Sequence, residues 1–221
     1  MAATINTNTY SLLAQRNLAQ NSNGLQSAIN RLSSGLRVNS ARDDASGLAR
    51  GMSIDAASRV TSVQIRIAQD SISSDETKDG NLGVLNDVLQ RMTELAADTA
   101  NSTAYTAEMS ALATRASALA TAGGATITVT ATDAASTLQS TIQTVATARA
   151  TLGANMNDNQ FAIQTLQVQY ANQRASYGRI MDADYAQETS NMTRFQILQQ
   201  AGTAMVSQAN AIPQNVLTLL R

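Results

Sequence analysis

Apolar and small residues recur along most of this chain at alternating intervals of three and four, the spacing of helices that pack against helices. The first stripe reads Leu18, Ser22, Leu25, Ile29, Leu32, Leu36. Gly35 loosens it, and a polar segment follows from Arg37 to Ser46. Asn39, Ser40 and Asp43 are N-cap candidates there, and Asp44 suits the first turn of a new helix. Arg37 to Asp43 therefore predicts a connector between two helical bodies. A second helical region is expected over about residues 44–100, with one stripe at Val60, Val63, Ile67 and another at Leu82, Leu85, Leu89, Met92, Ala96. Gly80 and Gly83 mark a predicted irregularity between them. A shorter helix is expected across Glu108 to Ala120, with Leu112 and Leu119 inward, ended by Gly123-Gly124. Next, ATITVTAT at 125–132 alternates β-branched and small residues, which predicts a small β-hairpin arm or an extended loop.

The longest regular pattern begins at Leu138 and continues through Ile142, Val145, Arg149, Leu152, Met156, Asn159, Ile163, Leu166, Tyr170, Gln173, Tyr177 and Ile180. A continuous helix of this length spans roughly 60 Å at about 1.5 Å per residue. The phase slips near Met181 to Glu188. A last stripe then reads Phe195, Leu198, Gly202, Met205, Ala209, Ile212, Val216, Leu219. Pro213, the single proline, is expected to kink or restart that helix, because it removes a backbone donor. The slip mirrors the connector at Arg37 to Asp43. The layout thus predicts an all-α fold: a long antiparallel helical coiled-coil bundle with a small β-hairpin or extended loop in its middle. The expected divisions are 1–36 with 190–221 as a terminal helical pair, 37–43 and 178–189 as connectors, and 44–177 as the inner bundle, with the β or loop insert at 121–135.

Composition narrows the function. There is no Cys, His or Trp, so thiol chemistry, zinc sites and the commonest general base are all missing. No Gly-rich phosphate loop is present, and the only lysine is Lys78. No enzyme, cofactor or metal is expected. Asp43-Asp44 reads as a helix cap. Asp182 and Asp184 open like a calcium loop, but Gln187 and Thr193 stand where that loop needs Gly and Glu. The net charge is −1, with all 16 acids between Asp43 and Glu188 and only arginines outside that span. The two ends are alike in charge, which suggests a common destination. The scattered arginines make no basic groove for nucleic acid. No apolar run reaches the roughly 18–20 residues of a bilayer span. An amphipathic membrane-surface reading lacks Trp and Phe anchors near the N-terminus. No signal peptide is visible, so export is expected by a route that needs no cleaved signal.

Several segments resemble bacterial flagellins: INTN at 5–8, LSSGLRVNSARDDASGLA at 32–49, LQRMTELA at 89–96, ANST at 100–103, and the whole of 182–221. The likeness covers roughly 1–110 and 136–221. Where flagellins usually carry variable outer domains, this chain has only the short stretch from Thr121 to Ala135, so it looks like a minimal member. The resemblance implies a structural subunit of the flagellar filament, extracellular, that assembles with copies of itself. It implies an inner tube made by the terminal helices, packed through Leu18, Leu25, Ile29, Leu32, Leu36, Phe195, Leu198, Met205, Ile212, Val216 and Leu219. An outer tube would come from the bundle. It implies an export chaperone on the C-terminal helix, a filament cap and hook–filament junction proteins as partners. It also implies an innate immune receptor surface at Gln90, Arg91 and Leu95, of which Arg91 and Leu95 fall off the Met92/Ala96 seam toward another face. Arg115 stands where receptor-activating relatives carry an acid. The alternative is a hook–filament junction protein, which shares related terminal helices.

Elementary energetics point the same way for the ends. Ordering the backbone costs on the order of 1–2 kcal/mol per residue. Each buried Leu-class side chain returns about 1.5–3 kcal/mol. Two helices paired on narrow stripes rich in Ala and Ser are marginal alone, so the ends are expected to fold when neighbours cover them.

Overall fold

A computed structural model of the chain describes residues 7–98 and 104–219, with side chains described through residue 211. The described residues form five helices: α1 (Thr9–Ser34), α2 (Ala45–Ala97), α3 (Thr106–Ala122), α4 (Ala135–Met181) and α5 (Tyr185–Leu219). The fold is all-α, and among the described residues there is no strand. The chain divides into two compact units, one of residues up to Ala57 together with those from Asn172, the other Ser58–Ala171.

The unit Ser58–Ala171 holds a continuous apolar core. Leu82, Leu85, Leu89 and Met92 of α2 meet Met109, Ala113, Ala116 and Ala120 of α3 and Leu138 and Val145 of α4. The stripe read at Leu82 to Met92 is thus core, and α3 and α4 cover it. Gly80 and Gly83 interrupt nothing, since α2 runs unbroken across them. The stretch after α3 is an extended loop and not a hairpin arm. Val129 is buried and Ala125 and Ile127 half-buried against this core, while Thr126, Thr128 and Thr130 are exposed. The alternation is therefore real, but its inward side rests on helices. With no second arm beside it, no sheet forms.

One stripe turns out differently from its sequence reading. Val60, Val63 and Ile67 are exposed, whereas Ser58, Thr61 and Ala68 are buried. In this part of α2 the small and hydroxyl residues form the buried face. The α4 stripe follows the expected register: Leu138, Val145 and Ile163 are buried, and Arg149 leaves it to bond Asp79 at 2.7 and 3.1 Å.

In the other unit, α1 starts behind Asn8, whose side-chain oxygen accepts from Ser11 N at 3.0 Å. It ends on Gly35, left-handed at φ 72, which donates to Arg31 O. Only a residue without Cβ takes that backbone turn freely. Asp44 caps α2 by accepting from Gly47 N at 2.8 Å. Asp43 instead holds the preceding turn, accepting from the Ser40 backbone and hydroxyl and from Asn39 N. Asp184 caps α5, accepting from Ala186 N and Gln187 N. Helix α4 persists to Met181 and α5 begins at Tyr185, so the non-helical link is shorter than the connector expected over 178–189. A capped restart shifts heptad phase within a few residues, and it looks long in a pattern search. Beyond it, α5 runs past Pro213 without restarting.

Candidate assembly surface

Helices α1 and α5 lie antiparallel, and polar contacts fix their register. Asn8 Nδ2 donates to Ala209 O at 2.8 Å, and Ser11 Oγ to Asn210 Oδ1 at 2.7 Å. Gln199 reaches Ser22, Arg31 pairs with Glu188 at 3.1 Å, and the Tyr185 hydroxyl donates to Leu32 O at 3.2 Å. Glu188 is buried, so this ion pair sits with little water around it. The helices approach closely at two glycines. A Cβ on Gly24 would stand 2.6 Å from the Phe195 ring, and one on Gly202 3.1 Å from Leu18. Phe195 thus seats in a notch that only glycine leaves open.

The inward face of α1 is Ser11, Ala14, Leu18, Asn21, Leu25, Ala28 and Leu32; that of α5 is Glu188, Met192, Phe195, Gln199, Gly202, Val206 and Ala209. Both share one column with the stripes read from sequence: Leu18, Leu25, Leu32 and Phe195, Gly202, Ala209. The second column differs. Ile29, Leu198 and Met205 are 45%, 40% and 61% exposed, and Leu12, Leu13 and Ile197 lie open as well. The pair closes on a column of leucines, Phe195 and small residues and leaves Ile29, Leu198 and Met205 outside. Leu36 is half-buried in the connector, while the side chains of Ile212, Val216 and Leu219 lie outside the described residues.

Two connectors meet below this pair. Leu36 and Asp182 form an isolated antiparallel bridge. Around it, Arg37 N donates to Met181 O at 2.7 Å and Ala183 N to Gly35 O at 2.9 Å. Val38 and Met181 are buried there. Hydrogen bonds from the Ser40 side chain and backbone lower the Asp43 pKa, and the Gly47 N–H lowers that of Asp44. Both aspartates act as turn and cap acceptors.

Gln90 and Arg91 are exposed on α2. Arg91 bonds Glu94 and Glu108, each at 3.2 Å, and these carboxylates raise its pKa, Glu94 first. Leu95 does not share that surface. It is 6% exposed, in the core with Met109. The α2 seam is two-sided here because α3 covers a second face, which a single stripe does not anticipate. Arg115 on α3 is exposed.

Residues 5–122 match the bacterial flagellin N-terminal helical region, and residues 135–220 match the bacterial flagellin C-terminal helical region. The chain belongs to the bacterial flagellin family. It is similar to a flagellin of Halalkalibacterium halodurans, 32% identical over 270 residues, covering 98% of this chain and 99% of that protein. A flagellin of Xenorhabdus nematophila is 30% identical over 313 residues, with 100% of each covered. A Salmonella rubislaw flagellin is 48% identical over 103 residues, 47% of this chain but 21% of that protein. As a family member of 221 residues, this chain lacks a large variable domain. It is a structural subunit of the flagellar filament, outside the cell, and not an enzyme. The hook–filament junction alternative is not favoured. No described helix is long and apolar enough to cross a membrane.

Proposed function

We propose that the open flank of the α1–α5 pair is where terminal helices of neighbouring subunits pack in the filament. In this reading 1–36 with 190–221 forms the inner-tube domain, 44–177 the outer-tube domain, and 37–43 and 178–189 join them. One observation carries it: α1 and α5 satisfy each other through Ala28, Ala209 and two glycine notches while Leu198, Met205 and Ile29 stay exposed. Large apolar side chains left beside a closed seam are a second interface waiting for an occupant. The terminal helices become stably ordered only on assembly, when neighbours cover that flank. Export then proceeds with the ends unfolded, with a chaperone on α5 and assembly at a filament cap above junction proteins. Gln90 and Arg91 form a candidate surface for host innate receptors, with Leu95 supporting it from beneath.

The decisive experiment substitutes Met205→Asp or Leu198→Ala. Both side chains lie on the exposed flank, so subunit stability should move by no more than about 0.5 kcal/mol. Filament formation, followed by light scattering and negative-stain microscopy, should be lost with Met205→Asp and weakened with Leu198→Ala. Normal filaments from Met205→Asp would refute the proposed flank. Amide exchange at Leu25 and Leu198 in dilute monomer as slow as that at Leu85 would refute folding on assembly.

A further inference from the structure

Asn23-Gly24 is the only Asn-Gly pair in the chain. Such a pair is chemically unstable, because the backbone nitrogen that follows an asparagine can attack that asparagine's own side-chain amide. Glycine favours the attack, having no Cβ to obstruct the approach. The Gly24 nitrogen bonds to the Asn23 Cγ and gives up its proton, and the side-chain amide leaves with that proton as ammonia. A five-membered succinimide results, and water opens it at either carbonyl. One product is an ordinary aspartyl residue. The other is isoaspartyl, with the main chain rerouted through the former side chain and one methylene longer. Water is the only co-reactant.

Closed, the α1–α5 pair blocks this step. Residues 23 and 24 lie inside α1. Helical ψ of about −42° holds the Gly24 nitrogen away from the Asn23 side chain, and its N–H is tied into the helix ladder. Packing reinforces the block, since the Phe195 ring of α5 lies where a Cβ on Gly24 would stand 2.6 Å from it. Asn23 itself is exposed, so its amide is in water as soon as the helix opens. Comparable pairs elsewhere are held differently. Asp79-Gly80 is inside α2, with its carboxylate paired to Arg149. Asn39-Ser40 lies outside any helix, but Ser40 N donates to Asp43 Oδ2 at 2.9 Å.

The two products differ in consequence. Asn23 lines a cavity with Arg31, Arg42 and Asp43, so the arginines can receive the charge of the aspartyl product. The isoaspartyl product instead lengthens the backbone where α1 comes closest to α5. It displaces Gly24 from the Phe195 ring and puts the helix on either side out of phase. We propose that Asn23-Gly24 is a self-modifying site gated by closure of α1 on α5. The open arm converts to isoaspartate, the shut arm is protected, and a converted arm no longer shuts. The inference rests on the reading that the terminal helices become ordered only on assembly. It adds a limit on how long an unassembled subunit stays competent.

The test incubates dilute subunit, filaments and guanidinium-unfolded chain side by side at mildly alkaline pH, then digests each with trypsin. Mass spectrometry scores isoaspartate at position 23 in the peptide from Asn17 to Arg31. The dilute subunit should convert nearly as fast as the unfolded chain, and the filaments should stay unconverted. The peptide from Asp79 to Arg91 should stay unconverted in both. When aged subunit is polymerised and sedimented, isoaspartate should collect in the supernatant and be missing from the pellet. Asn23→Gln protein aged in the same way should lose no assembly. Freshly prepared Asn23→Asp protein should assemble like the parent, which assigns the loss to the backbone and not to the charge. Isoaspartate equally abundant in pellet and supernatant would overturn the proposal, as would conversion in filaments as fast as in the subunit. So would slow conversion in a subunit whose α1 amides exchange freely. Slow conversion together with slow α1 exchange would instead overturn folding on assembly, and remove with it the open state that the site needs.

Discussion

The core around Leu85 and the pair made by α1 and α5 use the same heptad vocabulary to opposite ends. In the first, Leu82, Leu85, Leu89, Met92 and Leu138 are completely buried. In the second, the buried residues are Ser11, Ala28, Glu188 and Ala209, and the leucines lie half or fully open. The difference is a third helix. A pair of helices can bury only the column where they interdigitate, so larger side chains on the flank remain in water. With α3 laid across α2, a second face is covered and even Leu95 goes inside. Apolar periodicity alone therefore does not separate a residue that holds a subunit together from one that holds subunits to each other.

Removing a side chain from the covered core should have the largest effect. Leu85→Ala should destabilise the unit Ser58–Ala171 by about 2–5 kcal/mol, read by thermal or denaturant unfolding. A cost like that of Leu198→Ala would erase the contrast. Filling the notch at Gly24 comes next. Gly24→Val pushes on the Phe195 ring and should cost about 1–3 kcal/mol, confined to α1 and α5. Faster amide exchange in those helices within the assembled filament, with Leu85 unchanged, is the expected signature. The smallest effect belongs to Asp79, whose carboxylate pairs with Arg149 at a partly exposed site. Asp79→Asn should cost about 0.2–1 kcal/mol. The hydrogen bond from Arg149 lowers the Asp79 pKa below its ordinary 3.8. This contribution is therefore complete above that pH and fades as pH falls toward the folded-state value. A melting-temperature difference between the parent chain and the Asp79→Asn variant that persists well below that range would rule out the pair as its source.

Much of this was legible in the residues. The α4 register, the core leucines of α2 and the helix-ending glycines follow from spacing and side-chain chemistry, whereas the cap of α2 is Asp44, one residue beyond the expected Asp43. The column through Leu18, Leu25, Leu32 and Phe195 was legible too. Its neighbour was not, because stepping from Phe195 to either Leu198 or Gln199 preserves the period. A reading that favours bulk takes Leu198, whereas the structure takes Gln199, since Gly24 and Gly202 bring the helices too close for bulk on that side. On α2, too, a reading that favours bulk takes Val60 and Val63, whereas the buried residues are Ser58 and Thr61. Leu95 escaped because its cover comes from another helix, and no local pattern on α2 announces it.

The bridge between Leu36 and Asp182 has a kinetic consequence. It joins α1 and α5 at their adjoining ends across a long stretch of sequence, so the free arms leave the same point side by side. Their encounter is then intramolecular, at an effective concentration of about millimolar for a short flexible tether. Closure can begin at Arg31 and Glu188 and run outward toward Asn8 and Ala209, like a zipper started at its base. On the proposal that the arms close only on assembly, an arriving subunit needs no search to bring them together, only a neighbour to hold them shut.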